Sequence, residues 1–333
     1  MTDTHTIPSV VDRIRPVAAG APVVAVHVLK SAVVFVLGEE TLLFVAMDGA
    51  ERRVAVHAGG ILASASDGAR ILTGGDDGKV VATGADGSET LATDPKHRWI
   101  DRVALGPDGA IAWSAGKQVT VRTGKGETKS LDLPSSAGGL AFAPKGLRLA
   151  VAHYGGATLW FPNAAAKPET LAWKGSHLDA AFSPDGRFLV TTMQEPTLHG
   201  WRLVDGKDMR RSGYSAKVRS MAWTAGGKWL ATSGSEQLIL WPFSGKDGPM
   251  GKTPRMLAPS NKRAVTVACH PKQEIAAAGF EDGVILLARI EDGAEILARR
   301  AGPAPVSALA WSADGSKLAF GTEAGEAGIV DLS

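Results

Sequence analysis

The sequence is poor in the groups that build covalent or metal-based sites. Its 333 residues include one cysteine, Cys269, which excludes an internal disulfide and leaves no thiol cluster for zinc or iron–sulfur chemistry. It has no run of about 18 apolar residues, and its N-terminal segment lacks the apolar core of a secretory signal. We therefore expect a cytoplasmic protein in a reducing compartment, without a membrane segment.

Net charge is also nearly absent. Lys and Arg together number 36 and Asp and Glu 34, so no overall field draws the chain onto nucleic acid or an acidic membrane surface. Two basic segments, RRSGYSAKVR from Arg210 and SNKRAV from Ser260, are local exceptions. We read them as solvated faces, and a nucleic acid partner is not expected.

The familiar catalytic signatures are missing as well. The sequence contains no GxSxG elbow, no HExxH and no GxxxxGK[ST] loop, and its glycine-rich stretches fall in turns between strands and not before a helix. Cys269 and His270 are adjacent on a predicted strand and therefore face opposite sides of the sheet, which disfavours a Cys–His dyad. We predict no catalytic residue, no cofactor and no metal ligand.

What the sequence does contain is an internal repeat. An alanine, a second residue and a turn ending in glycine recur as ALGPDG from Ala104, AFAPKG from Ala141, AFSPDG from Ala181, AWTAGG from Ala222 and AWSADG from Ala310. Weaker copies begin at Ala25, Ala63 and Ala268. Successive alanines are 37 to 46 residues apart, which is the period of four-stranded propeller blades.

Each repeat is itself typical of a β-meander. In the repeat from Ala181, AAF is a short strand, SPDG a turn with glycine in the left-handed region, and RFLVTTM a second strand. No segment has sustained helical periodicity with a cap and a stop. We therefore predict an all-β fold. The residues after the repeat alanines should pack between neighbouring sheets and not form a stacking platform; they are Leu105, Phe142, Phe182, Trp223 and Trp311.

The chain resembles the WD-repeat family over essentially its whole length. The resemblance rests on the SPDG-like turns and on a tryptophan that closes the third strand, at Trp160, Trp201 and Trp241. In the family this tryptophan precedes an aspartate, with a Gly-His earlier in the blade. Here the following residues are Phe161, Arg202 and Pro242, so the buried Asp–His network of the family is not expected.

The repeats predict a single closed β-propeller over residues 1–333, with residues 1–10 as a flexible N-terminus. The last repeat supplies only three strands, so we expect residues 11–17 to pair with Gly328–Leu332 and close the ring. This count gives eight four-stranded blades. Seven is the alternative, if Val23–Ala58 is an irregular extension. Closure leaves no free edge, and we expect a monomer.

Recognition in such a fold belongs to the loops. The resemblance implies that the loops between the second and third strands, and those entering each blade, share one face around the channel mouth. We predict that a protein or peptide partner binds this face, because Trp, Tyr and Arg contribute most to such interfaces. The candidate partner-binding residues are His97, Arg98, Trp99, His153, Tyr154, Lys217 and Arg219. The Pro- and Gly-rich insert Pro242–Arg255 is predicted to be an exposed, mobile loop.

Two functions remain open at this point. The favoured one is a non-catalytic interaction scaffold or assembly factor. The alternative is a propeller enzyme or metal-binding propeller, which would use acidic and histidine side chains at the channel mouth. The acidic candidates are Asp76, Glu195, Asp282 and Glu323, and the histidines predicted in loops of that face are His57, His97, His153 and His177.

Overall fold

The computed structural model describes residues 7–333, and the regular structure in this range is almost entirely β-strand. Its helical elements are two short 3₁₀ turns, Val11–Arg13 and Pro107–Gly109. The chain separates into two compact units. One consists of Met1–Phe35 with Arg219–Ser333, and the other of Val36–Val218.

The strands are numbered in chain order. The first nine are β1 (Ile14–Ala18), β2 (Val23–Val28), β3 (Ala32–Leu37), β4 (Thr41–Ala46), β5 (Glu51–Ala55), β6 (Ile61–Ser66), β7 (Ile71–Gly75), β8 (Lys79–Gly84) and β9 (Gly87–Thr93). The next ten are β10 (Arg102–Leu105), β11 (Ile111–Ala115), β12 (Gln118–Arg122), β13 (Thr128–Asp132), β14 (Ala137–Phe142), β15 (Leu149–Trp160), β16 (Glu169–Phe182), β17 (Phe188–Met193), β18 (Leu198–Arg202) and β19 (Lys207–Arg211). The last eleven are β20 (Met221–Trp223), β21 (Trp229–Thr232), β22 (Leu238–Pro242), β23 (Arg255–Leu257), β24 (Ala264–Cys269), β25 (Ile275–Phe280), β26 (Ile285–Arg289), β27 (Glu295–Arg299), β28 (Val306–Trp311), β29 (Lys317–Thr322) and β30 (Glu326–Asp331).

These strands form antiparallel meanders. Five sheets follow the chain directly, as β2 to β5, β6 to β9, β10 to β13, β20 to β23 and β24 to β27. A sixth four-stranded sheet has the order β1-β30-β29-β28, and a six-stranded sheet runs from β14 to β19. The all-β content and the four-stranded antiparallel meanders agree with the repeat pattern.

The prediction of eight separate four-stranded blades is wrong, because the described residues form seven sheets. The difference arises at β16, a continuous strand of 14 residues. Its first half pairs with β15, for example Thr158 with Thr170, and its second half pairs with β17, for example Val190 with Ala181. Two sequence repeats therefore share one six-stranded sheet. The segment expected to be irregular in the seven-blade alternative is instead the regular sheet β2 to β5.

The predicted N-terminal strand is present. Strand β1 pairs antiparallel with β30, with Ile14 opposite Val330 and Pro16 opposite Gly328. Pro16 is tolerated because β1 is the outer strand of its sheet, where one backbone N–H needs no partner. Of the segment 1–10, which was predicted to be flexible, residues 1–6 lie outside the described residues. Within the rest, Leu297 donates a backbone hydrogen bond to Pro8 and accepts one from Val10 (2.8 and 3.0 Å).

The repeat turns have the predicted geometry. In the turn after β16, Gly186 has a φ of +75° and its N–H donates to the carbonyl of Ser183 (2.8 Å). The Asp185 carboxylate accepts from the Ser183 hydroxyl (2.7 Å) and from the Arg187 N–H (3.0 Å), which fixes the turn. Leu105, which follows a repeat alanine, packs between two sheets as predicted, in a cluster with Leu72 of β7 and Ile111 of β11. Phe182 lies in a cluster with Leu171, Leu189 and Trp201 of its own six-stranded sheet.

The insert Pro242–Arg255 is more ordered than predicted. Successive turns link Gly248 to Gly245, Met250 to Asp247 and Lys252 to Pro249. Gly248 and Pro249 are buried. Phe243 packs edge-to-face on Trp223, with ring centroids 4.6 Å apart. The prediction of a mobile, exposed loop therefore does not hold for this part of the insert.

Candidate functional site

Trp99 lies in a loop that is fixed by hydrogen bonds between its own residues. The Asp94 carboxylate accepts hydrogen bonds from the backbone N–H groups of Lys96 (2.9 Å) and Arg98 (3.1 Å). It also accepts from the Arg98 guanidinium, whose Nη2 lies 2.7 Å from Oδ2. The Arg98 side-chain hydrogen bonds lower the pKa of Asp94 to about 2, and the backbone N–H groups add to this effect. The carboxylate therefore stays charged at neutral pH and holds the loop.

The far end of this loop is anchored in the core. Ile100 is fully buried, and its N–H donates to the carbonyl of Gly75 (3.0 Å). A Cβ at Gly74 would lie 2.6 Å from the Ile100 carbonyl oxygen, so the loop backbone packs directly on β7. His97, which is exposed, has a φ of +50°. Between these fixed points the Trp99 side chain remains 64% exposed.

Tyr154 is the second large aromatic side chain on a supported turn. It is 67% exposed, at the point where β15 bends between its two pairing partners. Its backbone N–H donates to the Ser135 hydroxyl (2.9 Å). Gly156, with a φ of +139°, packs so closely on β16 that a Cβ would overlap the Leu171 carbonyl oxygen. The turn therefore has little freedom, and Tyr154 extends from a fixed backbone.

His153 supports this turn and is not itself accessible. The side chain is 2% exposed, which contradicts the prediction that it lies in a surface loop. Its Nδ1 lies 2.8 Å from the Tyr154 carbonyl oxygen and its Nε2 lies 2.8 Å from the Thr158 hydroxyl. Because a carbonyl oxygen only accepts, Nδ1 carries the proton and Nε2 accepts from Thr158. His153 is thus a positioning residue for Tyr154.

Hydrogen bonds connect the two aromatic loops within the unit Val36–Val218. Arg98 donates to Gln118 (3.0 Å), the Leu133 N–H donates to Lys117 (2.8 Å), and Tyr154 donates to Ser135. These loops lie at the same strand ends of two consecutive meanders. We call this surface the Trp99–Tyr154 edge and define it as residues 94–99, 116–118, 133–136 and 153–155. The structure brings five of the seven predicted residues to this edge.

The remaining two predicted residues lie elsewhere. The Lys217 ammonium donates to the Gln194 side chain (3.4 Å), at the turn between β17 and β18. Arg219 belongs to the unit that includes the C-terminus, where it is exposed and its backbone N–H donates to the Ser233 hydroxyl (3.2 Å).

A buried His–Asp–Thr network is present although the chain lacks the Trp-Asp dipeptide of the family. The His57 Nδ1 lies 2.9 Å from the Asp77 carboxylate, and its Nε2 lies 2.9 Å from the Thr73 hydroxyl. His57 and His177 are both buried; His57 lies in the loop between β5 and β6, as predicted, whereas His177 lies within β16 and not in a loop. Each histidine meets a threonine on the second strand of its meander; His177 lies 2.7 Å from Thr191. A histidine followed by a threonine on the second strand of the same meander was therefore the sequence signal that could have indicated these buried pairs.

His199 forms a second buried feature that the sequence did not indicate. Its ring stacks on Trp173, with centroids 4.0 Å apart, and meets Trp201 edge-on at 4.7 Å. The side chain is 1% exposed, and neither ring nitrogen has a hydrogen-bond partner among residues 7–333. Burial, followed by the proximity of His177 and Arg210, lowers the pKa of His199 to about 3. The ring is therefore neutral and serves as an aromatic spacer.

The described residues contain no cluster of metal-ligating side chains, and Cys269 and His270 have separate partners. Across the described range, no group of three or more His, Cys, Asp or Glu residues could hold a metal ion. Burial raises the pKa of the Cys269 thiol to about 12, and Sγ lies 3.5 Å from the Ala222 carbonyl oxygen. His270 Nδ1 instead accepts from the backbone N–H groups of Lys272 (3.1 Å) and Gln273 (2.9 Å). Within residues 7–333, no helix is long and apolar enough to span a membrane.

Known proteins share both the repeat and the fold. The family model "Anaphase-promoting complex subunit 4 WD40 domain" matches residues 267–333, and "WD domain, G-beta repeat" matches residues 207–241. WD repeat-containing protein 1-B of Xenopus laevis is 34% identical over 82 residues, which cover 24% of this chain and 14% of that protein. The 1-A protein of the same organism is 33% identical over the same coverage. The chain therefore aligns with only a small part of these relatives.

A solved structure extends the likeness to the whole fold. The computationally designed Ika8 protein has a TM-score of 0.77 to this chain at 16% identity, and the match covers 93% of this chain and 96% of the designed one. At that identity the likeness concerns the fold alone. The sequence matches and the four-stranded antiparallel sheets agree with it: this chain contains WD repeats and has a β-propeller fold.

Proposed function

We propose that the chain is a non-catalytic interaction scaffold that binds a protein or peptide partner at the Trp99–Tyr154 edge. Propellers of this family are commonly interaction scaffolds. The observation that carries the proposal is the exposure of two large aromatic side chains, Trp99 and Tyr154, on loops that are otherwise fixed by hydrogen bonds and close packing.

The rigidity of these loops supports a binding role. Ordering a mobile side chain at an interface costs roughly 0.5–1.5 kcal/mol, and a loop that is already ordered avoids much of this cost. Trp99 lies between the Asp94–Arg98 pair and the buried Ile100, so its backbone is held before any partner arrives. An exposed tryptophan held in this way is expected to act as an anchor residue in a partner's pocket.

The salt dependence of binding separates a protein partner from a nucleic acid. At the edge the charge of Arg98 is matched by the Asp94 carboxylate, Lys96 and Lys117 add two ammonium groups, and the whole chain has a net charge of only +2. A partner bound mainly through aromatic contacts should show a shallow dependence of affinity on salt. Nucleic acid would show a steep one, because each phosphate contact releases counterions.

The test is affinity purification of the tagged chain from its native cell, followed by quantitative mass spectrometry. Trp99→Ala and Tyr154→Ala should each reduce recovery of the same partner at least about tenfold, since anchor residues contribute on the order of 2 kcal/mol or more. Phe161→Ala is the matched control, because Phe161 is 42% exposed at the opposite end of the second half of β15. Unchanged recovery in both edge variants would refute the proposed site.

A further inference from the structure

The charged groups of the Trp99–Tyr154 edge differ in whether the chain itself engages them. Asp94 is the one acidic residue of the edge; it is buried, and its carboxylate is occupied by the Arg98 guanidinium and by two backbone N–H groups. Lys96 and Lys117 are exposed, and within residues 7–333 neither ammonium group forms a hydrogen bond or an ion pair. The charge that this surface offers to a partner is therefore positive.

Asp132, which borders the edge, does not reverse this sign. Its carboxylate accepts a hydrogen bond from the Gln118 side chain (3.4 Å), which in turn accepts from Arg98 (3.0 Å). The hydrogen bonds from Arg98 to Asp94, together with the charges of Asp94 and Asp132, raise the pKa of the Arg98 guanidinium. Both carboxylates therefore act on Arg98, and the two lysines of the edge are left without a carboxylate partner.

The carboxylates of the adjoining β7–β8 turn serve another loop. Asp77 is hydrogen-bonded to the His57 ring (2.9 Å) and accepts from the Ala58 N–H (3.1 Å). The Asp76 side chain packs on the same β5–β6 loop, since a Cβ at Gly59 would overlap its carboxylate. Neither aspartate is paired with an ammonium group of the edge.

The order of the loops places a lysine between the two exposed aromatic residues. The hydrogen bonds described above connect the loops of the edge in the order Trp99, Lys117, Tyr154. Lys96 lies in the loop of Trp99 itself, three positions earlier. A segment that contacts both aromatic side chains therefore passes the turn that carries Lys117.

These features define the chemistry of the partner. Charges of opposite sign across an interface steer the encounter and fix its register, while aromatic side chains supply most of the affinity. We infer that the edge binds an acidic protein segment, whose carboxylates meet Lys96 and Lys117 and whose apolar side chains pack on Trp99 and Tyr154. This inference rests on the proposed function and adds to it the chemical class of the partner.

The first test selects short random peptides, displayed on phage, on the full unmodified chain. Peptides that bind this chain but not Trp99→Ala should be enriched in Asp and Glu, with apolar residues on both sides of the acidic ones. If the Trp99-dependent peptides were neutral or basic, the inference would be wrong and the proposed function would stand. If no selected peptide depended on Trp99 or Tyr154, the proposed binding surface itself would be contradicted.

Lysine variants then measure the electrostatic part of binding by fluorescence polarisation with a selected peptide. Lys96→Gln combined with Lys117→Gln should weaken binding about three- to tenfold at about 50 mM NaCl, as expected for two exposed ion pairs. The difference should shrink at about 500 mM NaCl, because salt screens such pairs. The matched control is Lys125→Gln with Lys145→Gln, which removes the same charge from exposed turns at the opposite strand ends. Equal weakening in the two double variants would overturn the inference.

Two further probes identify the group that the lysines meet. The selected peptide with Asn and Gln in place of Asp and Glu should bind more weakly, and the double substitution of Lys96 and Lys117 should then have no further effect. Single-stranded RNA of random sequence should not compete with the acidic peptide. If RNA did compete, bound less well to Trp99→Ala and lost affinity steeply with salt, the edge would be a nucleic acid site and the inference would be wrong.

Discussion

Replacement of His199 by phenylalanine should make the protein more resistant to acid. The folded chain holds the pKa of His199 at about 3, below its ordinary value of 6.5, so the folded state binds fewer protons than the unfolded state. Stability from this group is therefore complete above pH 6.5 and declines as the pH falls below that value. Phenylalanine cannot titrate and retains an aromatic face against Trp173.

The size of the effect follows from the same shift. A pH of 5.0 is about 1.5 units below the pKa of this histidine in the unfolded chain, and each unit is worth about 1.4 kcal/mol. The free energy of unfolding should therefore fall by about 2 kcal/mol through this group. The Asp208 carboxylate offsets little of the loss, because it is half exposed and solvent screens its attraction for a protonated Nε2 3.8 Å away. His177 and Arg210 oppose protonation further.

The assay is urea unfolding at pH 7.5 and pH 5.0. Between these pH values the free energy of unfolding of the unmodified chain should fall by about 2 kcal/mol more than that of His199→Phe. His97→Asn is the matched control, because His97 is exposed and asparagine tolerates its left-handed backbone. Burial also lowers the pKa of His27, to about 4, so both variants should retain that separate part of the acid sensitivity. Equal losses in the unmodified chain and in His199→Phe would refute the reasoning.

Three other perturbations test the fold and the edge. Asp94→Ala should cost about 2 kcal/mol in urea unfolding, because it removes charged hydrogen bonds to the loop, and hydrogen exchange of the Lys96 and Arg98 amides should become faster; unchanged exchange would contradict the role of Asp94 in fixing the loop. Deletion of residues 1–18 should expose the β30 edge and produce oligomers in size-exclusion chromatography, whereas the full chain should elute as a monomer of 34.5 kDa; a monomeric deletion variant would contradict the role assigned to β1. Gly156→Ala should destabilise the chain by roughly 1–3 kcal/mol in thermal unfolding, because its Cβ would overlap β16 and its φ is +139°; a neutral effect would mean that the turn relaxes freely.

Local rules account for what the sequence predicted well. The repeat glycines, such as Gly186, are required by the left-handed turn that they occupy, so their spacing marks each meander directly. The closing strand was predictable because the last repeat lacks a fourth strand, and the backbone groups of β30 need a partner. The charged residues around Trp99 in PKHRWIDR indicated partial exposure, but the sequence left packing between blades open as the other reading of this residue.

Long-range packing accounts for what the sequence missed. Nothing local distinguishes β16 from a strand, a turn and a second strand, and its continuity depends on pairing with β15 and β17 together. The histidines were assigned to loops from their places in the repeats, but their burial depends on hydroxyl groups brought near by folding: Thr73 of β7 for His57, and Thr158 in the second half of β15 for His153.

The most direct test of the central claim is site-specific photocrosslinking in the native cell. A benzophenone amino acid at position 99 or 154 should yield a discrete covalent adduct with the same partner protein, and the same probe at position 161 should not. Adducts of one protein at both edge positions would support the Trp99–Tyr154 edge as the binding surface. Adducts at position 161 alone, or none at position 99, would contradict it.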